Sequence, residues 1–368
     1  MEQKIKLTGC NNLIDYSADA KYIIISGYDG GFKVFDTVQN KLYCKTKVKG
    51  SVNDIIIHNQ GISFDNKYAA FSALRKVLVM DIAKKEIIWE YTYSKAERMM
   101  TIPFCFFNQS SRLVIPDGDR LLIYDIEHGK SHHILLPDGA GFTDCVDVNP
   151  NDTQVAYKSC NGSWDLRLDR EGNILSYTNE YKEDLSDRVF IYDIVTGKCT
   201  KEIYILDPQI RAKQNSISGI MKFVDDETLL INRNSIGFSY FNIKTGKEIR
   251  TINWKDKGFE FGKFSKAKIY AKDRFILFNN VTPDPKSIQY DENGSILSYS
   301  CPIPDGLEYI LFDTKEDKVI FRHKNGEPQT AYHPETKQFA YIKREWDEKH
   351  KRTEYLCIRD CNSLFIEG

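Results

Sequence analysis

Residues 187–203 carry the sequence DRVFIYDIVTGKCTKEI, the stretch that decides the fold. Apolar Val189 and Ile191 alternate with other residues, Asp193 follows, and a Thr-Gly-Lys turn at 196–198 leads into a second short alternating run. Alternation with a period of two on both sides of a glycine turn predicts a β-hairpin.

Similar hairpins recur along the whole chain, at 31–45, 76–91, 119–135, 236–252, 307–323 and 354–368. Each copy has an Asp or Asn near the end of its first strand, where the side chain can bond nearby backbone and set the turn. These markers are Asp36, Asp81, Asp125, Asp193, Asn242, Asp313 and Asp360. We interpret the seven hairpins as the third and outer strands, c and d, of seven units.

A different hairpin, built around a turn rich in Asp, Asn or Pro, precedes most copies, at 13–27, 62–73, 105–116, 146–159, 220–232 and 329–342. A less regular member lies near 266–279. These suit inner strands a and b. The sequence therefore predicts an all-β chain, a seven-bladed β-propeller of four-stranded antiparallel blades that forms one domain over 1–368. The expected blades are approximately 10–50, 51–95, 96–138, 139–206, 207–254, 255–325 and 326–368.

The spacing between markers is 45, 44, 68, 49, 71 and 47 residues. Both long intervals contain a near-copy of one segment, DREGNILSY (169–177) and DENGSILSY (291–299), in which a turn precedes a strand. Counting each segment as a c–d hairpin would give nine markers but leave two hairpins without inner partners. We therefore predict inserted hairpins between strands b and c of blades 4 and 6.

The pattern resembles the WD-repeat and related seven-bladed propellers, whose unit is about 40–45 residues long. The aromatic-Asp pairs that end at Asp36, Asp125, Asp193 and Asp313 stand where that family has Trp-Asp. The resemblance covers nearly the whole chain, although no blade has Trp-Asp itself or Gly-His at the usual place. It implies a degenerate WD-repeat-like propeller; the long b–c connections described below lead us to expect a scaffold.

Two strand-like segments could close the ring. Residues 363–367 could supply the outer strand of the last blade, and residues 4–7 (KIKL) could pair there instead. The sequence alone leaves both open.

Composition excludes several classes of protein. The chain has 51 basic and 52 acidic residues, so bulk charge does not favour nucleic acid or an anionic membrane. The start has no signal-peptide pattern, and no apolar run is long enough to span a bilayer. Nine scattered cysteines without a CxxC pair indicate reduced thiols and a cytoplasmic protein.

Enzyme, cofactor and metal motifs are missing. Gly129-Lys130-Ser131 resembles the end of a phosphate-binding loop, but Tyr124 occupies the place of its first glycine. The seven histidines lack metal-ligand spacing. We expect no cofactor and no catalytic residue. A propeller enzyme or small-ligand binder, lactonase-like or lyase-like, with its site in the central channel remains the alternative.

Aromatic residues in the long b–c connections are the candidate protein-binding residues. Trp346 lies among charged residues in KREWDEKHKRTEY (343–355) next to Arg344, a combination favoured at interaction hot spots. The inserts supply a comparable set: Trp164, Tyr177, Tyr181, Tyr290 and Tyr299. We expect a protein or peptide partner on the propeller face that carries these connections. Nucleic-acid contact through 343–352 is less favoured, because acidic residues interrupt the basic run.

Overall fold

The computed structural model shows how these repeats are arranged in space. It describes residues 2–49, 57–73, 76–92, 103–117, 119–137, 145–158, 163–168, 174–180, 188–205, 220–233, 237–259, 262–281, 284–290, 296–298, 307–324 and 329–361. The described residues form seven four-stranded antiparallel sheets and two further two-stranded sheets.

Blades 1 to 6 take their strands in chain order from the inside of the ring outward, as a, b, c and d. The chain starts with β1 (Glu2–Leu7), which belongs to the last blade. Blade 1 is β2 (Asn11–Tyr16), β3 (Tyr22–Gly27), β4 (Gly31–Asp36) and β5 (Lys41–Lys47). Blade 2 is β6 (Ile57–Ile62), β7 (Tyr68–Ala73), β8 (Lys76–Asp81) and β9 (Glu86–Thr92). Blade 3 is β10 (Cys105–Phe106), β11 (Arg112–Asp117), β12 (Arg120–Asp125) and β13 (Lys130–Leu135).

Blades 4 and 6 each contain an extra hairpin between their second and third strands. Blade 4 is β14 (Val146–Val148), β15 (Gln154–Lys158), the hairpin β16 (Ser163–Leu168) and β17 (Ile174–Glu180), then β18 (Arg188–Asp193) and β19 (Cys199–Tyr204). Blade 5 is β20 (Met221–Phe223), β21 (Thr228–Arg233), β22 (Gly237–Asn242) and β23 (Glu248–Asn253). Blade 6 is β24 (Gly262–Tyr270), β25 (Phe275–Val281), the hairpin β26 (Gln289–Tyr290) and β27 (Ile296–Ser298), then β28 (Leu307–Asp313) and β29 (Lys318–Lys324).

Blade 7 is assembled from both ends of the described chain. It contains β30 (Thr330–His333), β31 (Gln338–Trp346) and β32 (Arg352–Asp360), and β1 is its outer strand. β1 pairs antiparallel with β32, from Glu2 opposite Arg359 to Leu7 opposite Glu354. Of the two possible closing segments, residues 4–7 therefore occupy the outer position, while 363–367 lie outside the described residues.

One apolar cluster fills each of the seven interfaces between neighbouring blades in the described chain. The rings of Phe32 and Phe71 stack 4.4 Å apart between blades 1 and 2. The cluster between blades 7 and 1 contains Ile14 and Leu356, both completely buried. Burying such a side chain contributes about 1.5–3 kcal/mol. The ring is thus held together by the same kind of contact at every interface, including the closing one.

The marker residues set the c–d turns in six blades. In each, the marker's side-chain oxygen accepts a hydrogen bond from the backbone N–H three residues on, at 2.7–3.1 Å. The residue four positions after the marker has a positive φ of 53–73°. Glycine suits this position because a residue without Cβ adopts a positive φ without strain. Three blades have it there: Gly129, Gly197 and Gly246. Asp360, the seventh marker, is followed by 362–368, outside the described residues.

The described residues contain no helix that is long and apolar enough to cross a membrane.

Candidate functional site

All seven blades direct their b–c connections toward one face of the ring. Because neighbouring strands are antiparallel, strand b ends where strand c begins, and the inner strand a begins at the same end. We call this side the connection face. The β16–β17 and β26–β27 inserts are both attached at this face, and so is the hairpin between β31 and β32.

The β31–β32 hairpin is the longest b–c connection with described side chains. Both strands have nine residues, and they pair from Gln338 opposite Asp360 to Trp346 opposite Arg352. Trp346 is the last residue of β31, and 63% of its surface is exposed. Paired strands thus hold a large aromatic side chain out in solvent.

Local hydrogen bonds define the turn at the tip of this hairpin. Asp347 Oδ1 accepts from the backbone N–H of Lys349 at 2.9 Å and of Lys351 at 2.8 Å. His350 completes the turn with a φ of 56°. The side chains of Lys349, His350 and Lys351 are exposed. The tip therefore has a defined backbone and carries two exposed lysines in the turn that follows Trp346.

Arg344 lies at the base of the hairpin rather than at its exposed tip. Its Nε donates to Glu354 Oε1 at 3.1 Å, and one terminal nitrogen donates to the Asn11 carbonyl oxygen at 2.9 Å. Only 18% of the Arg344 side chain is exposed. Its contacts join blade 7 to blade 1, so they position the hairpin on the ring.

Glu354 is the centre of a buried polar group at this seam. It is 3% exposed and accepts from the Asn11 backbone N–H at 2.8 Å and from Asn11 Nδ2 at 2.6 Å. Arg352 Nε lies 3.3 Å from Glu354 Oε1, and Lys33 Nζ donates to Asn11 Oδ1 at 2.7 Å. Burial lowers the pKa of Lys33 below its ordinary value. The sequence did not predict this group, since Asn11 and Glu354, which meet in it, are 343 residues apart.

The other predicted residues are placed by backbone alone or lie outside the described chain. Trp164 pairs with Asn179, and Tyr177 with Leu166, in the β16–β17 hairpin. Tyr290 pairs with Ile296 in the β26–β27 hairpin. Two further predicted residues, Tyr181 and Tyr299, fall outside the described residues.

A cavity of about 200 Å³ in the central channel is lined by residues on or next to the inner strands of blades 2 to 6. Its polar lining includes Lys222 on β20 and Asn59 on β6. Apolar walls come from Pro103, Phe104, Val146, Ile220, Met221, Ala267 and Ile269. Lys222, in the middle of the short inner strand Met221–Phe223, was the available sequence signal, but it was not among the predicted site residues.

Metal-ligating side chains do not come together in the part of the chain that the structure describes. There, no three His, Cys, Asp or Glu side chains are close enough to share an ion. His132 and His133, adjacent on the outer strand β13, are both exposed.

Comparisons with known proteins bear on the fold. No protein-family model matches the sequence, and no curated protein matches it. A solved structure that does match is the β-propeller domain of Myceliophteria thermophila Cps50 (Swd1), with a TM-score of 0.62 and 9% sequence identity. The match covers 96% of this chain and 97% of that one. The predicted WD-repeat-like seven-bladed propeller is therefore confirmed as the fold.

Proposed function

We propose that this protein is a non-catalytic interaction scaffold that binds a partner protein through the connection face. The exposed Trp346 at the tip of a rigid hairpin carries the proposal. A propeller fold supports a role in protein interaction in general, but propellers host many functions and the fold does not choose among them. The seven cysteines within the described residues are all free thiols, which supports a cytoplasmic setting.

The charges around Trp346 favour a protein partner over nucleic acid. Three of the five basic side chains in 343–352 face carboxylates within the molecule: Lys343 faces Glu345, and Arg344 and Arg352 both face Glu354. Nucleic-acid binding depends on many cations that are available for phosphates. This hairpin offers few, whereas an exposed Trp beside charged residues suits a protein hot spot.

We assign roles to Trp346 and Arg344 from the exposure of their side chains. Trp346 is the contact residue, and Arg344 positions the hairpin through Glu354 and Asn11. Trp164, Tyr177, Tyr181, Tyr290 and Tyr299 remain proposed contact residues, because the inserts that carry them are attached at the same face.

Affinity purification from the native cell, followed by mass spectrometry, tests this function. We expect the full-length protein to retain a partner that is lost when 162–184 and 286–300 are removed. Trp346→Ala should weaken binding of that partner by about 2 kcal/mol or more, as for a hot-spot residue, with unfolding changed by no more than about 0.5 kcal/mol.

A matched control is Val195→Ala, which removes an exposed apolar side chain from a c–d turn on the opposite face. It should leave the partner bound. Equal retention of every partner by the wild type, Trp346→Ala and the deletion variant would show that this face is not the binding surface.

A further inference from the structure

The outer strand of blade 3, β13, pairs with its neighbour without any irregularity. Its six residues lie opposite successive residues of β12, from Lys130 opposite Asp125 to Leu135 opposite Arg120. In blades 1, 2, 4, 5 and 6 the pairing of strands c and d shifts by one residue, as in a β-bulge. A bulge bends and twists an edge strand, which hinders its pairing with another chain. Among these six c–d pairs, only the one in blade 3 leaves an edge without a bulge.

β13 also lacks the charged residues that protect the other outer edges. Its sequence is KSHHIL, in which Lys130, at the first position, is the only Lys, Arg, Asp or Glu. Every other outer strand in the described chain has a charged residue in its interior, and examples are Lys45, Glu90, Lys201, Arg250, Arg322 and Lys4. Charged side chains, lysine above all, disfavour edge-to-edge pairing. Two protective features are thus missing from the same strand.

The backbone of β13 offers hydrogen-bonding groups along its outer edge. β13 is the last strand of its sheet in the described chain. The Leu136 backbone N–H donates to the Asp119 carbonyl oxygen at 2.8 Å, toward β12. Because successive residues of a paired strand direct their backbone groups to alternate sides, Ser131, His133 and Leu135 direct theirs away from β12. The side chain of Leu135 is also 72% exposed.

We propose that the outer edge of β13 binds an extended segment of a partner protein, which adds to blade 3 as a fifth, antiparallel strand. Donors and acceptors at alternate residues match an extended backbone, the mode of binding called β-augmentation. A strand of six residues is about 20 Å long, which is the length of a peptide segment. Two globular chains need a larger contact, about 800 Å² on each partner.

The side chains of β13 indicate the chemistry of that segment. Opposite residues of an antiparallel pair interact, so an apolar residue opposite Leu135 and an acidic residue opposite Lys130 are favoured. Strand-forming residues between them match the uncharged interior of β13. This surface lies on the circumference of the ring, so it is separate from the connection face and adds a second site to the proposed scaffold.

A hexapeptide library tests the inference. It has the form acetyl-Xaa-Thr-Xaa-Thr-Xaa-Glu-amide, with Xaa drawn from Val, Ile, Tyr and Phe, and immobilised full-length protein should retain some of its members. With the glutamate opposite Lys130, the N–H of the third peptide residue faces His133. N-methylation there should weaken binding of the best peptide about tenfold or more, since a backbone hydrogen bond is lost. N-methylation of the fourth residue, whose N–H faces solvent, is the control.

His133→Pro and His133→Ala form a matched pair of variants. Both remove the imidazole, but only proline removes the backbone N–H that faces outward, and proline is tolerated on an edge strand at such a position. His133→Ala should bind the best peptide nearly as the wild type does, and His133→Pro about tenfold more weakly or worse. Circular dichroism and the unfolding midpoint of both variants establish that the loss of binding is local.

Four results would overturn the inference. Three are retention of no hexapeptide, equal binding of the two N-methylated peptides, and unchanged binding by His133→Pro. The fourth is self-association of the wild type that His133→Pro abolishes, without peptide binding, which would make a second copy of the chain the occupant. Trp346→Ala should bind the best peptide as the wild type does, so a failure of the connection-face proposal and a failure of this inference are distinguishable.

Discussion

Glu354 is one carboxylate that serves both sides of the closing seam. It accepts from two groups of Asn11 in blade 1 and faces Arg344 and Arg352 in its own blade. A buried ion pair is not a strong source of net stability, but removing one partner leaves the others buried without compensation. The group therefore makes correct closure much more favourable than a seam with any member misplaced.

Glu354→Gln should destabilise the protein by about 3 kcal/mol, since the two arginines lose their carboxylate and Asn11 loses a charged acceptor. Urea unfolding measures this loss. Glu345→Gln is the control, because Glu345 is 38% exposed and pairs with Lys4 at the surface, where such pairs contribute about 0–1 kcal/mol. Equal effects of the two variants would contradict the role given to Glu354.

His58, on the inner strand of blade 2, makes stability depend on pH. Burial lowers the pKa of His58 below its ordinary value of 6.5. As the pH falls through about 6.5, the unfolded chain takes up a proton that the folded chain does not yet bind, so stability decreases toward the folded pKa. We expect the free energy of unfolding of His58→Gln to fall less between about pH 7.5 and 5.5 than that of the wild type. Parallel curves would contradict this.

At the scale of single elements, the c–d turns were predictable because they are local. An Asp or Asn at the marker position and a residue with positive φ four positions later lie within one short segment. The partner of β32 was not predictable, because residues 4–7 and 363–367 have equally strand-like patterns. Arg344 is a similar case: its neighbours in sequence suggest an exposed side chain, whereas Glu354 across the hairpin engages it.

β1 closes the blade-7 sheet and covers the edge of β32. Its Ile5 and Leu7 pack against the cluster between blades 7 and 1. Removing residues 2–7 should cost about 3 kcal/mol or more, from the lost apolar burial and backbone pairing, and the open edge should promote association. Thermal unfolding and light scattering measure both effects.

The control for this deletion keeps the strand and changes only exposed side chains, as in the Lys4→Ala, Lys6→Ala double variant. It should lose no more than about 1 kcal/mol. A synthetic peptide of residues 1–10, added to the shortened protein, should raise its unfolding midpoint again. An unchanged midpoint after deletion would show that β1 is dispensable for closure.

At the scale of the whole molecule, the sequence predicts the number of blades because each blade repeats the same two hairpins. The cavity in the central channel was not predictable, since its lining comes from the inner strands of five blades and the residues just before them. Which residues meet there depends on the rotation between successive blades and the register of each inner strand. Neither is encoded in one local pattern, so Lys222 on β20 could not be recognised from the sequence as a residue that lines the cavity.

The closing strand has a consequence during protein synthesis. β1 is synthesised before every other described strand, and its partner β32 after all of them; Asn11 and Glu354, which meet at the seam, are 343 positions apart. At about 5–20 residues/s, the nascent chain carries β1 unpaired for roughly 20–70 s. Its alternation of exposed and half-buried residues, with Lys4 and Lys6 on the exposed side, keeps this waiting strand charged on one face. Because charged side chains disfavour pairing at a strand edge, we expect Lys4 and Lys6 to hinder pairing of β1 with other strands before β32 is made.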